Sequence, residues 1–598
     1  MNTAAPIETA ERIDAASQFI AEGRFAEAET LVRSILEREP ANADAINTLA
    51  SIALSRRDGK RAYEILAPAC TAYPDHPRLL ANLGLAHMML ERPQEAVACL
   101  ERAVALSPRE VEFRLSLAQY LVAAGDAPRA LTELDAALRE GPDNVGALAR
   151  LGVIAMGDGD WPRAEAAWRR AVALDPKNAD TLHNLSVLCA STNRPEEATI
   201  LAERAHLWAP LDLAKRVQFA RCLAGIGDFQ RAKTQCTQIL MVAPEHLQAT
   251  ELFARLTLMR GAVPAGIETL SHFVRRHPKD PAAILSLAGA LRFVGRMPQA
   301  LTFVDQALGL DPGHPFGRRL RADLLLTLGR YAEVWPAAVP ARRPDRVVAP
   351  KGTLPVEALL FARFLGPLNP DGVSLISEAD DMTTGLLARV EGVELVRAAE
   401  LKPEAFALPH APAALGLTRE TLTAAPRFLR PDPEQNERWR RAFAALPRPL
   451  IGVDWDQYPP GAGASVILPI AAAGGGTVVS LATDPERRQL KDWPKVIDAG
   501  ASIRVADDLI GAISQLDAIV ATDGLPLHVA GALGVLGIAV VACGYPWYFA
   551  AEGDRSLWYA SLCVARQTAL VDWDGAAAKA ALLLAQCLSA SRMEGAKT

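Results

Sequence analysis

Only two histidines, His410 and His528, lie beyond residue 340, and the second stands where α/β proteins do chemistry. Around it the chain reads LDAIVATDGLPLHVAGALG. An apolar run ends at Ala521, Asp523 and Gly524 form a turn, and Pro526 suits the first turn of a helix. His528 falls in that same turn. If the run is a strand of an open parallel sheet, the turn lies at its carboxyl end, where such sheets bind ligands and a helix N-terminus favours an anion. A nucleotide phosphate is therefore the chemistry expected of Asp523, Gly524 and His528. A lone histidine is otherwise a satisfied core side chain; here position and neighbours favour the functional reading.

Elements that can hold such a turn follow from the pattern after Pro340. Short apolar runs at 373–377, 450–454, 477–481, 502–505, 518–521 and 538–542 alternate with helical segments at 356–366, 383–390, 434–446, 509–515, 526–534 and 574–590. Alternation of this kind predicts parallel sheets with crossover helices, and the length allows two such units. Residues 341–355, rich in proline and basic side chains, read as a linker. The stretch 530–551 carries no charge but several glycines, so it reads as a helix end, a buried strand and a turn rather than a membrane span.

The first 340 residues obey a different rule. Prolines stand at 40, 74, 108, 142, 176, 210, 244, 278 and 312, each 34 residues after the last. Small residues recur in phase, at Ala28, Ala62, Ala96, Ala130, Ala164, Ala198, Ala232, Gly266 and Ala300, and again from Ala50 and Gly84 through Ala322. Glycines at 23, 125, 159, 227, 261, 295 and 329 mark the turn between two helices. Small residues let paired helices approach, glycine ends the first helix in the left-handed conformation, and proline closes the second. This resembles the tetratricopeptide pattern over nine full repeats and a truncated tenth. Such repeats stack into a superhelix with a concave groove, where polar side chains such as Asn82, Asn184 and Gln218 are candidates to bind an extended peptide backbone; the alternative is that they are solvated helix positions.

Composition narrows the classes. Half of the 598 residues are hydrophobic, 22% are charged, and the net charge of −6 gives no reason to expect nucleic acid. Eight cysteines without a C-x-x-C pair make a disulfide framework or structural zinc unexpected, so no metal is assigned. The N-terminal segment has early acids and no apolar core, unlike a signal peptide, so a cytoplasmic location without membrane insertion is expected.

The later part also resembles a family: the GT-B glycosyltransferase domains, related to heptosyltransferases, that bacterial proteins join to tetratricopeptide repeats. Their turn D-T-x-x-A-H-L-A-G-A-L-G is matched by Asp523 to Gly534, and their D-S-P-W-Y-P-S-M-R-L-F-R-Q by the segment carrying Trp558, Tyr559, Arg566 and Gln567. G-D-W is matched by Val571-Asp572-Trp573, V-G-L-V-W by Ile451 to Trp455, and Y-L-R-x-D-P by Phe428 to Pro433. The likeness runs from about 350 to 585 and implies an α/β GT-B domain of two Rossmann-like lobes, following the α-α superhelix read from the repeats. Its boundaries are a protein-binding solenoid at 1–340, a linker at 341–355, an N-terminal lobe at 356–446 and a nucleotide-sugar-binding lobe at 447–598.

There are departures. The family's G-x-G-L-G-D turn is replaced by Lys351 to Glu357 without most glycines, and Glu357 stands where the acidic residue, the general base, belongs. Gly524 replaces a hydroxyl residue, residues 456–465 lack any cation, and W-R-W becomes Trp547-Tyr548-Phe549. The losses remove charges that a nucleotide diphosphate needs, which leaves a pseudoenzyme scaffold or a donor with less phosphate. The whole arrangement is similar to alphaproteobacterial flagellin glycosyltransferases, motility proteins that transfer pseudaminic-type nonulosonic acids from CMP donors to serine or threonine. That resemblance implies flagellin or another protein as acceptor and a nucleotide-sugar donor, CMP-linked in preference to UDP-linked, with no other cofactor. It implies Glu357 and His528 as catalytic residues, and Asp523, Gly524, His528, Trp558, Tyr559 and Arg566 around the donor. The rival is a non-catalytic repeat adaptor.

Overall fold

A computed structural model of the chain describes residues 4–335, 346–370, 372–396, 406–455, 463–483, 486–549, 551–570 and 572–595. The loop 456–462, Val571 and residues 341–345, all read above from sequence, lie outside them. The chain divides into two compact units, 1–235 and 236–598.

In the first unit, helices pair in sequence: Ala43–Ser55 with Gly59–Ala72, Pro77–Met89 with Pro93–Leu106, and so on to Ala179–Ser191 with Pro195–Trp208. Many of the starts are capped by a side chain. Asn42, Asn144 and Asn178 accept from the backbone N–H three residues on, as do Asp58, Asp126 and Asp160 at the second helices. The recurring alanines at 28, 62, 96, 130, 164 and 198 are wholly buried. Gly152 shows why size is limited there: a Cβ would sit 2.3 Å from the Trp168 indole nitrogen. The turn position is left-handed at every hairpin, including three without glycine: Arg57, Glu91 and Asn193 at φ 59°, 59° and 56°.

The second unit opens with the same hairpins: Leu247–Leu258 with Val263–Arg276, Pro281–Phe293 with Met297–Leu310, and Pro315–Thr327 with the short Tyr331–Val334. Two sheets follow. The smaller has strands β1 (Arg346–Ala349), β2 (Val373–Ser377), β3 (Val393–Leu395) and β4 (Phe406–Ala407), parallel, in the order β3-β2-β1-β4. The segment 346–349 is thus a central strand; the reading of 341–355 as a linker fails there because Val347 and Ala349 are wholly buried.

The larger sheet has β5 (Leu450–Asp454), β6 (Thr477–Ser480), β7 (Ile497–Asp498), β8 (Ala518–Ala521), β9 (Gly537–Val541), the edge pieces β10 (Ala551–Glu552) and β11 (Arg555–Ser556), and β12 (Leu562–Arg566). Its order is β10-β11-β12-β9-β8-β5-β6-β7. Counted in chain order, its six parallel strands are arranged 3-2-1-4-5-6, the doubly wound arrangement. The strand expected at 502–505 is absent; its place is taken by β7, five residues earlier. The described part of the uncharged stretch, 530–549, is, as expected, a helix end, a buried strand and a turn.

Strand alternation builds a core on each face. Ile451, Val453, Val520, Ile538 and Val540 pack under helices Ala464–Ala473 and Trp573–Gly595. On the other face Leu450, Ile519, Ala521, Ala539 and Val541 belong to a core that continues through Leu527 and Leu359 to Val347 and Leu375 of the small sheet. Arg389 adds a two-pronged bond to Asp507 at 2.7 and 2.8 Å, and an ion pair with Asp432 at 3.0 Å.

Candidate functional site

Strands β5 and β8 are neighbours, but the chain leaves them toward opposite edges of the sheet, so a crevice opens at their carboxyl ends. Asp454 ends β5, and Thr522, Asp523 and Gly524 follow β8. A Cβ on Gly524 would lie 2.5 Å from Asp454 Oδ2, so glycine is what lets that carboxylate approach the first turn of helix Leu525–Leu533. The positive end of the helix therefore already faces an anion. Two carboxylates, Asp454 and Asp523, thus stand beside this turn.

His528 is 1% exposed. Its Nδ1 is 3.2 Å from the Tyr559 hydroxyl, and its Nε2 is 3.6 Å from Asp523 Oδ1, too far for a hydrogen bond. Tyr548, Phe549 and Tyr559 surround the imidazole with ring centroids 5.0 to 5.7 Å away. Tyr548 donates to both Asp523 oxygens, at 3.1 and 2.9 Å, and its phenol is pushed well above the usual range by burial and then by the Asp523 charge. Asp523, His528, Tyr548 and Tyr559 thus form one linked cluster.

The other expected donor-side residues are placed as structure. Trp558 is wholly buried in an aromatic cluster with Tyr331, Phe364 and Trp547, and its carbonyl accepts from Arg363. Burial lowers the Arg363 guanidinium to about 10. Tyr559 is 1% exposed and fills the space beside Gly531, where a Cβ would come within 2.5 Å of its ring. Both aromatics are consumed by packing. Arg566, expected as a phosphate contact or an exposed ion pair, is half-buried; it donates to the Phe549 carbonyl at 2.9 Å and lies 4.8 Å over the Tyr545 ring. It braces the 545–549 segment, and its Nε is a buried donor without an acceptor among the described residues.

Glu357 occupies the first turn of helix Pro355–Ala362, half-buried and without a hydrogen-bond or ion-pair partner among the described residues. That helix packs against Leu525–Leu533, so the fold joins the two helices whose first turns carry Glu357 and His528.

A cavity of about 320 Å³ begins at Thr522 and Asp523 and runs along the ends of β8 and β9. Its far wall is the repeat helix Pro281–Phe293, through Gly289, Arg292 and Phe293. The contact beside it is close: a Cβ on Gly544 would meet the Arg292 and Phe293 carbonyl oxygens at 2.8 and 2.9 Å. A second cavity of about 310 Å³, lined by Glu251, Arg255, Ser286 and Phe316 among others, shares Gly289 and Phe293 with the first. Asp454, Tyr548 and Arg292 escaped the reading from sequence. Asp454 was findable as the last residue of the neighbouring strand; Arg292 carries no signal, because it lies inside a repeat helix.

Among the groove candidates, Asn82 is half-buried and donates to Asn47 at 2.8 Å and Ser51 at 3.1 Å across adjacent hairpins. Gln218 is 8% exposed and turned toward Cys222, so its amide is committed to the helix rather than presented. Asn184 is half-buried.

A tetratricopeptide repeat family model matches residues 19–85, and one for the cytochrome c-type biogenesis protein H TPR domain matches 71–181. With the 34-residue hairpins this decides the helical region. It is a tetratricopeptide-repeat array. Among curated relatives, cellulose synthase operon protein C of Pseudomonas fluorescens is 25% identical over 256 residues, 40% of this chain and 20% of that protein. Human protein O-mannosyl-transferase TMTC3 is 25% identical over 186 residues, 30% of this chain and 20% of that one. Mouse tetratricopeptide repeat protein 21B is 26% identical over 125 residues, 21% of this chain and 10% of that one. The chain thus spans a fifth or less of these relatives. Of solved structures, the APC/C hetero-tetramer Cut9-Hcn1 matches at 15% identity and a TM-score of 0.35, covering 52% of this chain and 55% of that one. Among the described residues no helix of the tetratricopeptide-repeat chain is long and apolar enough to cross a membrane.

Proposed function

We propose that the chain is a protein O-glycosyltransferase. In this reading the two parallel sheets are the lobes of a GT-B domain, and the repeats hold a protein acceptor, flagellin or another secreted polypeptide. The observation that carries it is the cavity at the ends of β8 and β9, which starts at Asp523 and is walled by a repeat helix. Its second wall residue, Gly289, also lines the cavity along the repeats, so an acceptor lying on helices 247–327 has a path to the strand ends. Glu357 takes the proton of the acceptor hydroxyl, and the Asp523–His528–Tyr548 cluster orients the donor. The crowding of carboxylates at the 523–525 turn favours a donor with a single phosphate, as in a CMP-linked nonulosonic acid of the pseudaminic type, over a UDP-sugar. One curated relative bears the name of a protein O-mannosyl-transferase, which goes with transfer to protein.

A second reading, a non-catalytic adaptor, is favoured by two observations: helix Pro355–Ala362 packs on Leu525–Leu533, and His528 is almost wholly buried. Equilibrium dialysis of labelled CMP- and UDP-sugars against the full chain separates the two. The transferase reading expects CMP-sugar binding that His528→Gln weakens about tenfold, and transfer that Glu357→Gln abolishes without loss of binding. Binding of neither donor favours the adaptor.

A further inference from the structure

Helix Pro281–Phe293 belongs to the repeats by sequence, yet its last turn serves the α/β region. Arg292 is the only cation among the described residues lining the cavity at the ends of β8 and β9. Its Nε is a buried donor with no hydrogen-bond acceptor. Its ionic neighbour Asp323 stands 3.9 Å from Nη2, beyond hydrogen-bond reach, and burial raises the Asp323 carboxyl pKa. A guanidinium offers five N–H groups in a fork that fits phosphate, and this one is held at a cavity wall with donor capacity unused. The rest of the wall suits a nucleoside. Phe293 and the Tyr545 ring supply apolar surface, while Asp523 supplies carboxylate oxygens that can accept from hydroxyls. The volume of about 320 Å³ is at the small end of ligand sites, enough for one such group.

We infer that this cavity takes the nucleoside monophosphate portion of the donor, and that Arg292, supplied by the repeats, is its phosphate ligand. The inference rests on the transferase reading and adds to it the residue that replaces the cations missing from the α/β region. A single cation among carboxylates also matches one phosphate rather than two.

The test is calorimetric titration of the full chain with CMP, cytidine and UDP. Wild type is expected to bind CMP about tenfold or more tightly than cytidine. Arg292→Met, which keeps the apolar stem, is expected to bring CMP down to the cytidine level and leave cytidine unchanged. The double variant Arg292→Met/Asp323→Asn, which leaves no unpaired buried carboxylate, is expected to do the same with an unaltered melting temperature. If both variants keep the CMP preference, Arg292 is not the phosphate ligand, while the transferase reading stands. If wild type binds none of the three, that reading falls and this inference falls with it.

Discussion

Asp523 gathers the site: Tyr548 donates to both its oxygens, and His528 stands beside one of them with its other nitrogen on Tyr559. Residues of the same motif divide sharply between this cluster and the core. Trp558, matched to the family by sequence, touches Tyr331, Phe364 and Trp547 and has no exposed surface. Trp558→Ala should therefore cost about 3–5 kcal/mol of stability, as for large core truncations, read as a lowered urea midpoint. A variant as stable as wild type but weak in donor binding would return Trp558 to the pocket. The turn 523–528 was legible because proline, glycine and histidine sit at fixed offsets from an apolar run. Its partners were less so: Tyr559 was named only through the family motif, as a donor-side residue and not as a partner of His528, and Tyr548 reaches the turn only through the folded connection after β9.

At the scale of elements, the repeats were readable because each hairpin repeats the same small set of constraints. Strands β2, β5 and β8 were placed to the residue, since each is an uninterrupted apolar run between turn signals. β1 was missed because Arg346 and the prolines around it mask a four-residue strand that is buried only once β2 and β4 flank it. β7 was misplaced because two exposed residues make a strand solely by pairing with β6. The hairpins also carry a pH response. His87, His183 and His206 all have pKa values lowered from 6.5, burial being the first cause in each. Lys215 beside His183, Arg216 beside His206 and Arg92 near His87 push the same way, while Glu95, Asp212, Asp180 and Glu203 oppose. A base with a depressed folded pKa is stabilising above its unfolded pKa, and that contribution is lost as pH falls below 6.5 toward the folded value. Urea midpoints of the full chain should therefore drop between pH 7.5 and 5.5, and replacing the three histidines by glutamine should flatten the slope. An unchanged slope in the triple variant would remove histidine protonation as the cause.

For the molecule as a whole, the second unit matters most, because a repeat helix and the ends of β8 and β9 enclose one cavity. Gly289 stands where that cavity and the one along the repeats meet, and a Cβ there would have nothing within 4 Å. Gly289→Leu should fold normally, gaining up to about 1 kcal/mol in helix propensity. It should narrow the shared passage and intrude on the nucleotide cavity it also lines, lowering transfer to a protein acceptor at least tenfold and weakening CMP binding. Equal transfer by the variant would mean the acceptor arrives by another route.

The most direct measurement is the intact mass of purified flagellin after incubation with the full chain and a CMP-linked nonulosonic acid. The account predicts a mass gain by whole sugar units on serine or threonine, absent without the donor and absent with Glu357→Gln. Flagellin of unaltered mass under conditions where the chain binds the donor would contradict it, and would leave the repeats with a binding role alone.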